Sequence, residues 1–205
     1  ITALLIGNDY PGKECELPNC VSDVRSIGQK LRRIGADVKV LENAPRNEII
    51  NEIETFASKG NQYDNALFYF SGHGEVRGPF HVWIANDGEW IIKELHLLFP
   101  LVETNYKNLI LISDACNINR AIANEDLEDD TIQKIINVQN ALHNRNITSA
   151  YSSLDGQVAC ALGNDVNGIY AIALMEYIEH ENLPITDMFN RVNQLLMCKF
   201  FFNDP

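Results

Sequence analysis

Short apolar runs closed by Gly or Ser, alternating with stretches of helical periodicity, are the strongest constraint on how this chain folds. Thr2–Gly7 is an apolar run of strand length that ends on Gly7. Asn8 to Asn19 is rich in Gly, Pro and Asn and reads as a loop. Ser22 stands where an N-cap belongs, and Val24, Ile27, Leu31 and Ile34 follow at helical spacing until Gly35 stops the helix. Val38–Leu41 is a second strand. Pro45 opens a helix with Ile49, Ile50, Ile53 and Phe56 on its buried face, and Gly60 ends it. Ala66–Phe70 is a third strand. Strand, helix, strand, helix, strand predicts an α/β protein: an open, mostly parallel central sheet with helices on both faces.

Further along, Phe80–Ile84 and Glu89–Ile91 read as a hairpin around Asn86-Asp87-Gly88. Glu94–Phe99 is a short helix ended near Pro100, and Asn108–Ile112 is another strand. Residues 117–146 change character. The run Asn124 to Asp130 is acidic with little to bury, so this segment is expected to be a mobile acidic loop. Ile147–Ser153 returns as a strand. Gly168–His180 and Thr186–Met197 read as amphipathic helices, and Lys199–Phe202 as a last strand. A length of 205 residues without repeats predicts one domain over residues 1–205. The chain opens directly on a core strand, so it is also compatible with a domain cut from a longer protein.

The net charge of −12 argues against nucleic acid and anionic membranes as partners, since both require clustered Lys and Arg. No apolar run reaches membrane-spanning length, and no signal segment is evident. The five cysteines are odd in number and irregularly spaced. They do not read as a disulfide framework, which implies a reducing, cytoplasmic compartment. Cys15 and Cys20 lack a second Cys or His pair at zinc spacing, and no metal site is expected. Cys160 and Cys198 read as small apolar fillers.

Two of the apolar runs end in reactive residues. Ala66–Phe70 leads into Ser71-Gly72-His73-Gly74, and Asn108–Ile112 leads into Ser113-Asp114-Ala115-Cys116. In open α/β sheets ligands bind at the carboxyl ends of the strands. If the two strands are parallel neighbours, an imidazole and a thiol share one edge. His73 is then the candidate general base and acid, and Cys116 the candidate nucleophile. The backbone N–H groups of Gly74 and Cys116 are candidates for an oxyanion hole. Gly7-Asn8-Asp9-Tyr10-Pro11-Gly12 lacks the Gly spacing that cradles phosphates, which disfavours a nucleotide-binding domain.

With these blocks in view, the chain resembles the caspase-fold cysteine peptidases: caspases, metacaspases and paracaspases. The resemblance rests on Ala3–Asn8, Asn19–Val24, Tyr69–Gly74, Ile112–Cys116 and Asn167–Tyr170, and covers roughly residues 1 to 197. It implies a caspase-like three-layer α/β/α sandwich and a Cys-His dyad, with His73 preceding Cys116. Caspases, which cleave after Asp, typically carry Gln two residues before the nucleophile; here that position is Asp114. Metacaspases and paracaspases place an acid there and another in the first helix, which Asp23 and Asp114 match, and Ser71 matches a further pocket position. The resemblance therefore implies an endopeptidase cleaving after Arg or Lys, acting on protein or peptide substrates and requiring no cofactor. A calcium dependence is left open, although the acidic loop lacks EF-hand spacing. A homodimer is left open as well. The alternatives are a catalytically silent scaffold acting through protein contacts, and cleavage after Asp. Asp23 as a mere first-turn helix acid is the plainer reading of that residue.

Departures from the pattern sit after the nucleophile. Asn117-Ile118-Asn119-Arg120 stands where metacaspases have His-Ser-Gly, and Ala161 stands where paracaspases carry a pocket Glu, with Asp155 or Asp165 as substitutes. Arg120, Lys134 and Arg145 are candidate self-cleavage positions for a peptidase of basic specificity.

Overall fold

The structure, a computed structural model, describes residues 1–77, 80–102, 104–120, 133, 137–138, 145–153 and 166–201. Its centre is a five-stranded parallel sheet. The strands are β1 (Thr2–Gly7), β2 (Asp37–Glu42), β3 (Asn65–Gly72), β7 (Asn108–Ala115) and β9 (Asn146–Tyr151), in the order β2-β1-β3-β7-β9. A second, four-stranded sheet is built from β4 (Gly74–Arg77), β5 (Phe80–Ile84), β6 (Trp90–Ile92) and β8 (Ile118–Arg120), in the order β6-β5-β4-β8.

The central strands are apolar on both faces because both faces are covered. Side chains alternate across a strand. Ala3, Leu5, Leu67, Tyr69 and Ile112 pack against α1 (Cys20–Arg33), α4 (Ile169–Tyr177) and α5 (Ile185–Phe201). Leu4, Ile6, Phe68, Phe70 and Leu111 pack against α2 (Arg46–Ser58), a π-helical turn over Lys93–Leu98 and α3 (Phe99–Val102). The result is the three-layer α/β/α arrangement expected. Fully burying each Leu, Ile or Phe of these layers contributes about 1.5–3 kcal/mol against leaving it exposed.

Several local expectations are revised. α1 begins at Cys20 rather than after Ser22, and its N-cap Asn19 makes no side-chain cap. Instead Asp9 reaches over from the first loop, and its Oδ1 accepts the Val21 N–H at 2.9 Å. A distant carboxylate thereby satisfies a free first-turn donor. Pro100 does not end a helix; it lies in the first turn of α3, where its missing N–H costs nothing. Lys199, Phe200 and Phe201 continue α5 instead of forming a strand, while Phe202 lies outside the described residues. β8 is a strand in a segment read as a loop, and β4 is a strand where no element was expected. Most of the acidic stretch 117–146 lies outside the described residues.

The hairpin is as expected: β5 and β6 pair antiparallel, and Gly88 takes φ +94° in the turn. Its role is structural and local, since Trp83 stacks on Phe68 and Phe70 with ring centroids 5.2 and 5.1 Å apart. Trp83 Nε1 also donates to Ser113 Oγ at 2.9 Å, which fastens the small sheet to β7. Among the described residues no helix is long and apolar enough to cross a membrane.

Gly7 fixes where α1 sits. A Cβ there would lie 2.3 Å from the Cys20 carbonyl oxygen and 2.7 Å from Val24 Cγ2. The first turn of α1 is thus pressed against the carboxyl end of β1. Gly7→Ala should lower stability by about 1–3 kcal/mol through overpacking, read as a fall in Tm. An unchanged Tm would mean that this contact is not tight.

Candidate active site

The pairing of β3 with β7 runs Ser71 to Asp114 and Gly72 to Ala115, an offset of 43 residues. The pairing of β4 with β8 runs Glu75 to Ile118 and Val76 to Asn119, the same offset of 43. Parallel pairing therefore passes from one sheet into the other without a slip. His73 and Cys116, also 43 apart, occupy the junction between the two paired stretches. A one-residue slip would have sent one of them to the opposite face. Gly74 follows at once, and a Cβ on it would lie 2.8 Å from both Ala115 Cβ and the Cys116 carbonyl oxygen. Only Gly permits that approach of the two chains.

His73 is held at its backbone and its ring. Its N–H donates to Tyr10 Oη at 2.9 Å, and Tyr10 Oη donates to the Ile84 carbonyl at 2.7 Å. The Ile84 N–H returns a bond to the His73 carbonyl at 3.0 Å. The Tyr10 and His73 rings lie 4.6 Å apart at 34°. Nε2 sits 2.6 Å from the Cys15 carbonyl oxygen. A carbonyl only accepts, which assigns the proton to Nε2 and leaves Nδ1 as the basic nitrogen of the neutral ring.

The segment around Cys116 is fixed from β9. Ser153 Oγ donates to the Ala115 carbonyl at 2.8 Å, Asn117 Nδ2 donates to the Ser153 carbonyl at 2.8 Å, and Ser152 N–H donates to the Ser113 carbonyl at 3.0 Å. Asn117, the departure noted in the sequence, is therefore a buried positioning side chain. Cys116 itself is a free, partly exposed thiol.

The candidate pocket residues gather beside this edge. Asp23, on α1, is 2 % exposed. Its Oδ2 lies 3.5 Å from Ser71 Oγ, at the end of β3. Its Oδ1 accepts the Gly168 N–H at 2.8 Å and Asn167 Nδ2 at 3.1 Å. Burial pushes the Asp23 carboxyl up to about 7; the Gly168 N–H opposes the rise, and the neighbouring Asp114 and Asp9 add to it. Asp114 accepts a 2.9 Å bond from the hydroxyl of the fully buried Tyr69. Its carboxyl is likewise raised by burial, with Tyr69 and Ser152 pulling it back. Burial raises the Cys20 thiol to about 12, so Cys20 is a neutral wall residue of this cluster. Among the described residues neither Asp23 nor Asp114 has an ion-pair partner, and no cluster of metal-ligating side chains is present.

Asn8, Asp9 and Tyr10 lie on the loop that leaves β1 at this edge, as their position after the first strand implies, but their contacts were not foreseen, nor was the Cys15 carbonyl. Tyr10 gave one signal, a large aromatic in a Gly- and Pro-rich loop. It is buried at φ +55°. Asn8 and Asp9 looked like loop polars, and the Cys15 carbonyl carries no side-chain signal at all. Arg145 is removed as a self-cleavage position, because its guanidinium donates to the carbonyls of Tyr106, Leu101 and Val102 around the end of α3. Lys134, Asp155, Ala161 and Asp165 lie outside the described residues. A cleft of about 680 Å³ runs along the outer edge of β9, lined in part by Tyr151, Tyr170 and Phe189, and includes none of His73, Cys116, Asp23 or Asp114.

An open parallel sheet that carries a histidine and a cysteine to matched places on its carboxyl edge, under helices on both sides, has the layout of a caspase-type protein. Residues 2–201 match the peptidase C14 family model, described as the caspase domain, and the chain belongs to that family. That family is one of peptidases. Metacaspase-8 of Arabidopsis thaliana is 30% identical over 83 residues, which cover 35% of this chain and 22% of that protein. The chain thus matches well under half the length of this curated relative. The crystal structure of protein GSU0716 from Geobacter sulfurreducens shares the fold with a TM-score of 0.66 at 17% identity, covering 95% of this chain and 88% of that one.

The raised carboxyl of Asp23 fixes the sign of a pH effect. The folded state holds this proton more tightly than the unfolded chain does. The stability it contributes is present below the ordinary carboxylate range and is lost as pH rises from about 4 toward about 7. Asp23→Asn should match the wild type near pH 4.5 and exceed its stability at pH 8 by on the order of 2–4 kcal/mol. Chemical denaturation across this range reads the difference. A variant that is less stable at pH 8 would contradict it.

Proposed function

We propose that the chain is a cysteine endopeptidase that cleaves after Arg or Lys through a His73–Cys116 dyad. One observation carries the reading. The offset of 43 on both sides of the junction supports facing positions for His73 and Cys116, near the buried Asp23 and the partly buried Asp114, neither of which has a cation partner among the described residues. Two such acids in one partly dry pocket repel each other and resist ionisation. A guanidinium or ammonium from a substrate supplies the missing charge, and it meets Asp23 and Asp114 near Ser71. Arg suits this pocket particularly well because its planar fork can serve both acids.

The dyad then works as follows. His73 Nδ1 takes the proton of the Cys116 thiol, and the thiolate attacks the carbonyl carbon after the basic residue. The carbonyl oxygen takes up the displaced electron pair. The backbone N–H groups of Gly74 and Cys116 receive that charge, each donor contributing roughly 3 kcal/mol to the transition state. The C–N bond breaks, and the leaving amine takes the proton from the imidazolium. Water, deprotonated by the same imidazole, then cleaves the thioester and releases the thiol. The Cys15 carbonyl keeps the ring in the tautomer that leaves Nδ1 available throughout. No cofactor enters these steps.

Fluorogenic peptides ending in Arg, Lys or Asp test the proposal. Arg and Lys peptides should turn over and the Asp peptide should not. Cys116→Ala should lower turnover by roughly 10³-fold or more. Preferred cleavage after Asp would overturn the pocket assignment. A folded wild type that neither cleaves these peptides nor is labelled at Cys116 by an arginyl acyloxymethyl ketone would overturn the peptidase reading.

A further inference from the structure

The turn that leads into α4 is stitched to α1 by three side chains of α1. Ser22 Oγ donates to the Val166 carbonyl, Ser26 Oγ donates to Asn167 Oδ1 at 3.3 Å, and Asp23 receives the two bonds from Asn167 and Gly168. These bonds treat the two oxygens of Asp23 differently. Oδ1 is occupied by a backbone N–H and an amide N–H. Among the described residues Oδ2 has only the long contact to Ser71 Oγ. The two oxygens of Asp23 are therefore unequally satisfied: Oδ1 by two donors, and Oδ2, among the described residues, by one long contact.

Gly168 adds a second, independent observation. Its backbone is ordinary extended chain, φ −65° and ψ 153°, which any residue can adopt. Its conformation does not call for glycine, but its surroundings do: a Cβ at this position would lie 3.0 Å from Asp23 Oδ2, while Oδ1 and Cγ are 3.9 and 3.8 Å away. The missing side chain uncovers the one oxygen that the hydrogen bonds leave open. Asp23 cannot swing aside to relieve such a contact without giving up the bonds on Oδ1.

We propose that Asn167 and Gly168 are positioning residues for the basic-substrate pocket: Asn167 locks the rotation of the Asp23 carboxylate, and Gly168 keeps its Oδ2 open to an incoming guanidinium or ammonium. The inference rests on the Arg/Lys reading above and deepens it. In this arrangement Asp23 binds the cation end-on through a single oxygen. Asn167 also favours the ionised acid by donating to it, so its loss shifts Asp23 toward the neutral form.

Four measurements on wild type, Asn167→Ala and Gly168→Ala test this. They are kcat and KM on an Arg peptide, the pH profile of kcat/KM, calorimetric binding of benzamidine in the Cys116→Ala background, and alkylation of Cys116 by iodoacetamide, which carries no cation. Gly168→Ala should raise KM and weaken benzamidine at least tenfold. Asn167→Ala should do so by three- to tenfold and move the acidic limb of the profile to higher pH. Alkylation should stay within twofold of wild type in both, because Cys116 is held at the junction of β7 and β8 by bonds from Ser153 and Asn117 and not by this turn. Variants that bind and cleave like a wild type active on Arg peptides overturn this inference and leave the pocket reading standing. Alkylation that slows in step with cleavage also overturns it, since the turn would then support the whole edge. A wild type that neither cleaves Arg peptides nor binds benzamidine removes both. If Gly168→Ala does not fold, Asn167→Ala alone decides by the same criteria.

Discussion

The register shared by the long parallel pair β3/β7 and the short pair β4/β8 governs everything else at the carboxyl edge. It runs at one offset through β3/β7 and resumes at that offset in β4/β8. The chemistry-bearing residues occupy the junction, where the backbone leaves one sheet for the other. A junction of this kind is hard to build, because strands that diverge expose N–H and C=O groups that must find other partners. Here the strands do not separate for long. Gly74 lets them stay in contact, the Ile84 backbone takes up His73, and Ser153 takes up the carbonyl before Cys116. The small sheet is thus the clamp on the histidine, and β9 is the clamp on the cysteine.

The acidic pair works against this economy of satisfied groups. Asp23 and Asp114 sit among Tyr69, Cys20 and Ser71, with neutral donors but no counter-charge among the described residues. Hydrogen bonds to Tyr69, Asn167 and Gly168 offset part of the desolvation cost and leave the rest. A stable core would replace these acids with apolar groups of similar volume. Keeping them leaves a desolvation cost in the fold, and the proposed function assigns its relief to a substrate cation.

The architecture was legible because the central strands are apolar on both faces and α1, α2 and α5 each carry an apolar stripe, whereas α4, expected to be amphipathic, is apolar nearly all round. Thr2–Gly7, Ala66–Phe70 and Asn108–Ile112 could be little else than buried strands. The positions of His73, Cys116, Asp23, Ser71 and Asp114 could be read because each follows or faces such an element. What could not be read were bonds between distant polar atoms. Asp9 capping α1, Tyr10 beneath His73 and Arg145 closing the end of α3 each join residues with no local periodicity to signal the contact. β4 and β8 were missed for a related reason: short strands rich in charged and polar residues resemble loops until their partners are known. Lys199–Phe201 misled in the other direction, since aromatic residues favour strands on propensity while the helix already running through Met197 carries them along.

The first loop shows why an edge made of loops can still be rigid. Asn8 is fully buried, and its backbone N–H donates to the Ser71 carbonyl at 3.0 Å while its Oδ1 accepts the Ala44 N–H at 3.0 Å. Asp9 N–H donates to Asn43 Oδ1 at 2.7 Å, and Asp9 Oδ1 caps α1. Tyr10 then supports His73, and five residues on the Cys15 carbonyl meets its ring. One segment without regular structure therefore touches β3, the start of α1, the approach to α2 and the imidazole. The contacts of Asn8, Asp9 and Tyr10 use polar atoms that would otherwise be stranded in or near the interior, whereas the Cys15 contact lies at the surface. Losing any one of them exposes an unsatisfied group as well as breaking a link, and buried unsatisfied groups are costly. The loop is thereby held from Asn8 to Tyr10, and it in turn fixes the backbone and the ring of His73.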